Sequence, residues 1–329
     1  MNDALPDGIH RFLGDTEWVG AEIAPLVGDA SFRRYFRLRM GGRSAMLMHA
    51  PPPHEDPRPF LHVARWLTDK GLRAPHILAE DAAQGWVLLE DFGDRRMREW
   101  IDEHPDDERH VYAQAIDALV RLHRLPPGPF PPYDMAVYRR EVDLFTEWYC
   151  PAVGLDVDTE GWAEAWEAAL EPLLWRQDPG VTVLRDYHAE NIMLLEPGRL
   201  AGEQGLIDFQ DALVGHPAYD LVSLLQDARR DVSVRIEREM LARYRAAARP
   251  DADFEADYAR LGAQRNAKIV GIFTRLCKRD GKPRYLDMIP RVWAAMERDL
   301  AHEAMAPVAE WFAANIPQRL RDERGGTIA

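Results

Sequence analysis

The sequence predicts an α+β protein of two lobes, a small N-terminal lobe built on an antiparallel sheet and a larger, mainly helical C-terminal lobe. Three observations carry this reading. Short apolar runs bounded by turn residues fill the first ninety positions, at 32–39, 44–49, 76–80 and 85–89. After position 105, apolar residues recur at helical spacing over long stretches. Between the two regimes, Glu90-Asp91-Phe92-Gly93-Asp94 breaks an apolar run and reads as a hinge. The expected division is 1–89, a hinge at 90–94, and 95–329.

The chain has 329 residues, 47% of them hydrophobic, enough for a sizeable core without disulfides. Cys150 and Cys277 lie far apart and form no metal-type spacing, so they read as reduced thiols of a cytoplasmic protein. No basic-then-apolar leader opens the chain and no run of about 18 apolar residues occurs, so neither export nor a membrane span is expected. A net charge of −14 argues against nucleic acid as a partner. A small-molecule substrate and a monomeric chain are expected.

In order, residues 10–25 suggest a short helix ending near Pro25. The turn Gly28-Asp29-Ala30-Ser31 then opens a hairpin whose tip is Gly41-Gly42. Backbone N–H groups around Ser31 would face an anionic ligand. The return strand, Ala45-Met46-Leu47-Met48-His49, carries no Lys, and the helix at 57–68 carries no acidic residue. Arg33 and Arg34, with His49 behind them, are therefore the candidates for phosphate contacts. Helices are expected at 106–124, from Met135 to about Cys150, and at 161–175, 233–248, 253–277 and 291–313. In the second of these, Phe145 reads as core, while Trp148 stays open as a platform for a sugar ring or a quaternary ammonium.

The chemistry concentrates at 183–211. Leu184-Arg185-Asp186-Tyr187-His188-Ala189-Glu190-Asn191 is a polar loop between apolar runs, and Ile207-Asp208-Phe209-Gln210-Asp211 ends a further run. Phosphoryl transfer needs this set: one carboxylate (Asp186) at the attacking hydroxyl, and a neutral amide oxygen (Asn191) with a second carboxylate (Asp208) holding magnesium against nucleotide phosphates. Arg185 pairs with a nearby carboxylate in this reading, and Asp211 adds a contact toward the substrate. Asp220 sits where a helix N-cap would. Arg265, Lys268, Arg275, Arg279 and Lys282 form a basic cluster on an acidic protein, inviting an anionic substrate group.

Read as L-R-D-Y-H-A-E-N followed by D-F-Q, these segments resemble the protein-kinase pattern H-R-D-L-x-x-x-N and D-F-G. His188 and Gln210 place the resemblance in the aminoglycoside phosphotransferase-like family. That resemblance implies a bilobal protein-kinase-like fold, ATP and Mg2+, and a brace for the catalytic loop at Asp220. In that fold, Leu88, Leu89, Glu90 and Asp91 would present hinge backbone to a nucleotide base. The stretches 28–36, 46–52, 88–93, 184–188 and 207–212 are similar, within the family, to bacterial anomeric kinases of cell-wall recycling. These phosphorylate N-acetylmuramate and N-acetylglucosamine at the C1 hydroxyl, which implies an amino-sugar acceptor. The absent strand Lys is shared with that branch. An antibiotic kinase, a choline or ethanolamine kinase with Trp148 and Tyr149 as an aromatic cage, and a non-catalytic scaffold are the competing readings.

Overall fold

The structure, a computed structural model, describes residues 5–26, 33–195 and 204–328. The chain divides into two compact units, Met1–Glu103 with Glu190–Asp211, and His104–Ala189 with Ala212–Ala329. The first begins with α1 (Ile9–Gly14), β1 (Glu22–Pro25), β2 (Arg34–Met40), β3 (Arg43–His49), α2 (Arg58–Asp69), β4 (Ile77–Asp81), β5 (Trp86–Glu90) and α3 (Met97–Glu103). The second follows with α4 (Glu108–His123), α5 (Met135–Leu144), a π-helical turn at Phe145–Tyr149, α6 (Cys150–Ala152), α7 (Thr159–Arg176) and β6 (Val181–Val183). The chain then returns to the first unit as β7 (Ile192–Leu194) and β8 (Gln204–Leu206). It ends in the second with β9 (Leu213–Gly215), α8 (Ala218–Leu225), α9 (Val234–Ala248), α10 (Phe254–Lys278), α11 (Ile289–Leu300), α12 (Ala306–Asn315) and α13 (Gln318–Asp322).

In the first unit five antiparallel strands stand in the order β1-β2-β3-β5-β4. The β2–β3 turn is Gly41-Gly42, both at positive φ (57° and 78°), as a two-residue hairpin loop requires. Strand alternation divides the side chains. Phe36, Leu38, Ala45, Leu47, Trp86 and Leu88 pack with Ile9, Leu13 and Trp18 in one core, leaving Tyr35, Arg37, Met46 and Leu89 for the opposite face. The expected helix at 10–25 is only half realised. It stops at Gly14, and residues 22–25 instead pair with β2, so β2 is an interior strand. Pairing with the free edge of β2 outweighs the local helical period, and Pro25 is tolerated because β1 is the edge.

In the second unit α10 is the axis. Its 25 residues are buried over most of their length, against α5, α8 and α11. At Gly271 an added Cβ would lie 2.3 Å from the Leu144 carbonyl carbon, so only glycine allows α5 and α10 to touch backbone to backbone. Phe145 is fully buried among Tyr149, Trp162 and Phe312, with ring centroids 4.8–5.4 Å away, which is the core role expected of it. The helix expected through 291–313 is two helices. Pro307 cannot donate to residue 303, and a turn at Glu303–Met305, capped by His302 on the Ala304 N–H (3.1 Å), separates them.

Candidate active site

The first unit contains a cavity of about 510 Å³, within the size range of small-molecule and cofactor sites. Its apolar wall includes Tyr35, Met46, Phe60, Leu89, Met193 and Ile207. Its charged lining is five acids, Glu90, Asp91, Asp94, Glu99 and Asp208, against two bases, Arg37 and Arg96. Leu89, Glu90 and Asp91 line the cavity, whereas the Leu88 side chain packs in the core on the opposite sheet face. The Glu90 carboxylate takes both arms of Arg73; burial works to raise it, but Arg73 and the His76 N–H hold it below the usual carboxylate range.

Arg37 is the residue that the sequence reading missed. Its guanidinium donates to Asp91 (3.2 Å) and Asp94 (2.8 Å) and reaches the Gly93 carbonyl oxygen (3.2 Å), tying β2 to the segment after β5. The one local signal was its period-two alternation with Tyr35. Of the arginines expected at the phosphates, Arg33 shares the strand parity of Tyr35 and Arg37 and reaches the Tyr35 hydroxyl on the cavity wall, whereas Arg34 does not. Arg33 is paired with Glu55 at 3.2 Å. Arg34 points to the opposite sheet face, its guanidinium 5.1 Å from the Phe36 ring, because it shares that residue's strand parity. His49 stacks on Trp86 at 3.9 Å, on that same side. Ser31 lies outside the described residues.

At the cavity's end, the Asn191 amide nitrogen donates to Asp208 at 3.2 Å, and Gln210 donates to the other Asp208 oxygen at 3.0 Å. Asp208 has a φ of 61°, a left-handed conformation that costs energy for a non-glycine residue. Phe209 anchors it, stacked on Phe60 at 5.1 Å. Among the described residues no group of three or more His, Cys, Asp or Glu side chains forms a closed metal cage. The pair Asn191 and Asp208 offers hard oxygen donors, which suits magnesium held by few protein ligands and by substrate phosphates. Asp211 is exposed.

The second unit holds the loop with Asp186. Asp220 accepts from the backbone N–H groups of Leu184 (2.7 Å) and Arg185 (2.8 Å). It lies inside α8, whose N-cap position is Pro217, so the capping role is replaced by that of a loop brace. Burial pushes its carboxyl up to about 7, against the pull of the two amides. Asp227 makes a second brace, accepting from the Ala189 N–H (3.3 Å). Arg185, at φ 71°, turns its side chain away to Glu141.

Glu141 is buried and serves Arg185, Lys268 (2.8 Å), Gln264 (3.1 Å) and the Tyr133 hydroxyl together. Burial works to raise its carboxyl, yet Lys268 and Arg185 bring it down to about 2. Two cations on one acid leave surplus positive charge beside Asp186. Burial would raise Asp186, but Lys268, His188, Arg265 and Arg185 hold it below the usual carboxylate range and keep it ionised. His188 stands within electrostatic reach of Asp186. It is buried, burial holds its imidazole below the ordinary range, and its Nε2 accepts from Arg229 at 3.2 Å.

The basic cluster divides. Arg265 is buried on the Ser223 hydroxyl (2.9 Å), Lys268 is committed to Glu141 and to the Tyr219 hydroxyl (3.2 Å), and Arg279 is exposed and paired with Asp280 (2.7 Å). Arg265 and Arg279 stand about 21 Å apart along α10, so one anionic group cannot engage the set. Trp148 is half-buried, whereas Tyr149 is enclosed by Phe145 and Trp293 with its hydroxyl on the Gly325 carbonyl oxygen (3.0 Å). Tyr149 is therefore unavailable to an aromatic cage.

Residues 22–263 match the phosphotransferase enzyme family. The chain belongs to that family. The resemblance read from its motifs is borne out. An N-acetylmuramate/N-acetylglucosamine kinase of Caulobacter vibrioides is 38% identical, over 90% of this chain and 92% of the relative. One of Pseudomonas aeruginosa with the same name is 39% identical over 91% and 89%. Among solved structures, a choline/ethanolamine kinase family protein of Mesorhizobium loti matches 94% of this chain and 99% of its own with a TM-score of 0.63 at 14% identity. An aminoglycoside-3'-phosphotransferase of type VIII matches 74% and 92% with a TM-score of 0.51 at 22% identity. Both bear out the bilobal kinase-like fold class. The chain is thus a phosphotransferase of kinase type, a class that uses ATP and typically Mg2+. No helix among the described residues is long and apolar enough to cross a membrane.

Proposed function

We propose that this phosphotransferase transfers the γ-phosphate of ATP to the anomeric C1 hydroxyl of N-acetylmuramate, N-acetylglucosamine or both. The observation that carries this reading is the relatedness, at 38–39% identity over about nine-tenths of the chain, to kinases named for those two sugars. The cytoplasm, where ATP and recycled sugars meet, is the location that this reading implies.

In this reading the cavity of the first unit takes the nucleotide, with Leu89, Glu90 and Asp91 along one wall. Asn191 and Asp208 would hold magnesium, which supplies charge neutralisation for the phosphates when bound. Asp186 accepts the hydrogen bond of the acceptor hydroxyl and orients it. A carboxylate held below its ordinary range is a weak base, so it takes the proton late, after the hydroxyl oxygen has begun to bond phosphorus. The relatively acidic anomeric hydroxyl tolerates so weak a base. Asp220 and Asp227 fix the loop, and Trp148 offers a flat apolar face to the sugar.

The competing acceptors fit less well. A polycationic antibiotic meets surplus positive charge beside Asp186, and a choline cage lacks Tyr149. A scaffold has no need of an Asp186 kept ionised.

The test is coupled ADP release with magnesium-ATP on N-acetylmuramate, N-acetylglucosamine, its 1-O-methyl glycoside, kanamycin and choline. Turnover is expected on the two free sugars and not on the blocked glycoside. Asp186→Asn is expected to lose about 1,000-fold in kcat or more while still binding ATP. Turnover on kanamycin or choline, and none on the sugars, would overturn the assignment.

A further inference from the structure

Arg275 lies on α10 seven residues after Lys268. That is two helical turns, about 10.5 Å further along the same face. The helix partners of that face are matched in order. Gln264 and Lys268 meet Glu141, Gly271 meets Leu144, and Glu147 of the π-helical turn lies within electrostatic reach of Arg275. The close approach at Gly271 sets this parallel alignment, so Arg275 stands beside the turn that carries Trp148.

Its bonding differs from that of its neighbours. Arg265, Lys268 and Arg279 are each committed to a partner. Among the described residues, Arg275 makes no ion pair and no side-chain hydrogen bond, although it is half-buried and its Nε is fully shielded. A shielded donor without an acceptor is costly, and a guanidinium in that position matches a planar anion. The acids in reach do not answer it: Asp280 is committed to Arg279, and Glu147 is exposed.

From this we infer that Arg275 is an anion-binding residue of the acceptor site, and that the anion is a carboxylate carried by the sugar, as on the lactyl ether of a muramic acid. The inference rests on the sugar-kinase reading for its ligand. Asp186 takes the reacting hydroxyl, and Arg275 takes the carboxylate further along α10. A neutral N-acetylglucosamine leaves Arg275 unanswered, so the residue sets preference between the two acceptors. Arg279, exposed and already paired, does not contribute.

The experiment is calorimetric binding of N-acetylmuramate, its neutral lactyl amide and N-acetylglucosamine to the full chain, alongside turnover of each. Wild type, Arg275→Gln, Arg275→Lys and Arg279→Gln are compared. Wild type is expected to favour the carboxylate over the amide by about tenfold or more, Arg275→Gln to erase that preference, and Arg275→Lys to restore part of it. Arg279→Gln is expected to match wild type, and N-acetylglucosamine to bind all four alike. A preference that is absent from wild type, or that survives in Arg275→Gln, overturns the inference, even where both sugars turn over and the kinase reading stands. Carboxylate binding through Arg275 without turnover of either sugar would sink the kinase reading and leave this subsite standing. Arg275→Lys keeps the test decisive should Arg275→Gln fail to fold.

Discussion

Arg37 in the first unit and Glu141 in the second are both buried charges shared between two partners, with the signs reversed. Arg37 is one cation held by two acids, Asp91 and Asp94, and the surplus beside the cavity is negative. Glu141 is one acid held by two cations, Arg185 and Lys268, and the surplus beside Asp186 is positive. The difference assigns separate electrostatic tasks. Under the proposed reading, an acidic cavity would repel a bare polyphosphate and admit it with divalent cations, which would tie nucleotide affinity to the metal. A positive surplus keeps the Asp186 carboxylate ionised in buried surroundings.

The largest effect expected from breaking this contrast is at Glu141. Glu141→Gln leaves two half-buried cations without their acid, and urea melts should show a loss of about 3 kcal/mol. The same group shapes the acid limb. Its carboxyl, at about 2, is lower in the fold than in the unfolded chain, so its stabilisation is present above about pH 4.5 and vanishes as pH falls through 2. Melts of Glu141→Gln across that range should be flatter than wild type. Equal slopes would mean that Glu141 does not carry the pairing.

Asp220 sharpens the comparison from the opposite direction. Its folded value of about 7 exceeds the unfolded one, so its contribution to stability is fullest below about pH 4 and declines as pH rises through 7. Asp220→Asn should remove that decline. It should also lower kcat by about tenfold, because a single amide oxygen replaces two carboxylate oxygens under two backbone donors. A kcat equal to wild type would remove Asp220 as the brace. Smallest is Arg37→Lys. Loss of the forked contacts should cost about 1–3 kcal/mol and steepen the magnesium dependence of ATP binding. Titration of ATP affinity against magnesium checks this, and an unchanged slope would dissociate Arg37 from the cavity's charge balance.

Much of the architecture was legible because it is written locally. Gly41-Gly42 gave the hairpin, the helical period gave α4 and α10, and Asp186, Asn191 and Asp208 announced themselves by position at the ends of apolar runs. What escaped was set by distant pairing. Nothing near Arg37 in the sequence says that Asp91 and Asp94 will close on it. Lys268 reads as a free cation until Glu141, 127 residues earlier, takes it. Residues 22–25 look helical until the open edge of β2 recruits them. Arg275 could not be told from Arg279 by sequence, since only the fold reveals which of them keeps an acid within reach.

The first unit is sewn from two stretches, and this bears on how the protein is made. The backbone N–H of Leu206 bonds the Arg73 carbonyl oxygen (2.8 Å), and that of Leu194 bonds the Arg95 carbonyl oxygen (2.9 Å). The first unit therefore waits for residues 190–211 while the whole of 104–189 is synthesised ahead of them. A nascent chain stalled before that return has a sheet, a hinge and half a cavity, but neither Asn191 nor Asp208. On the ribosome the N-terminal unit is finished only after a large part of its neighbour exists, so the order of synthesis is not the order of completion.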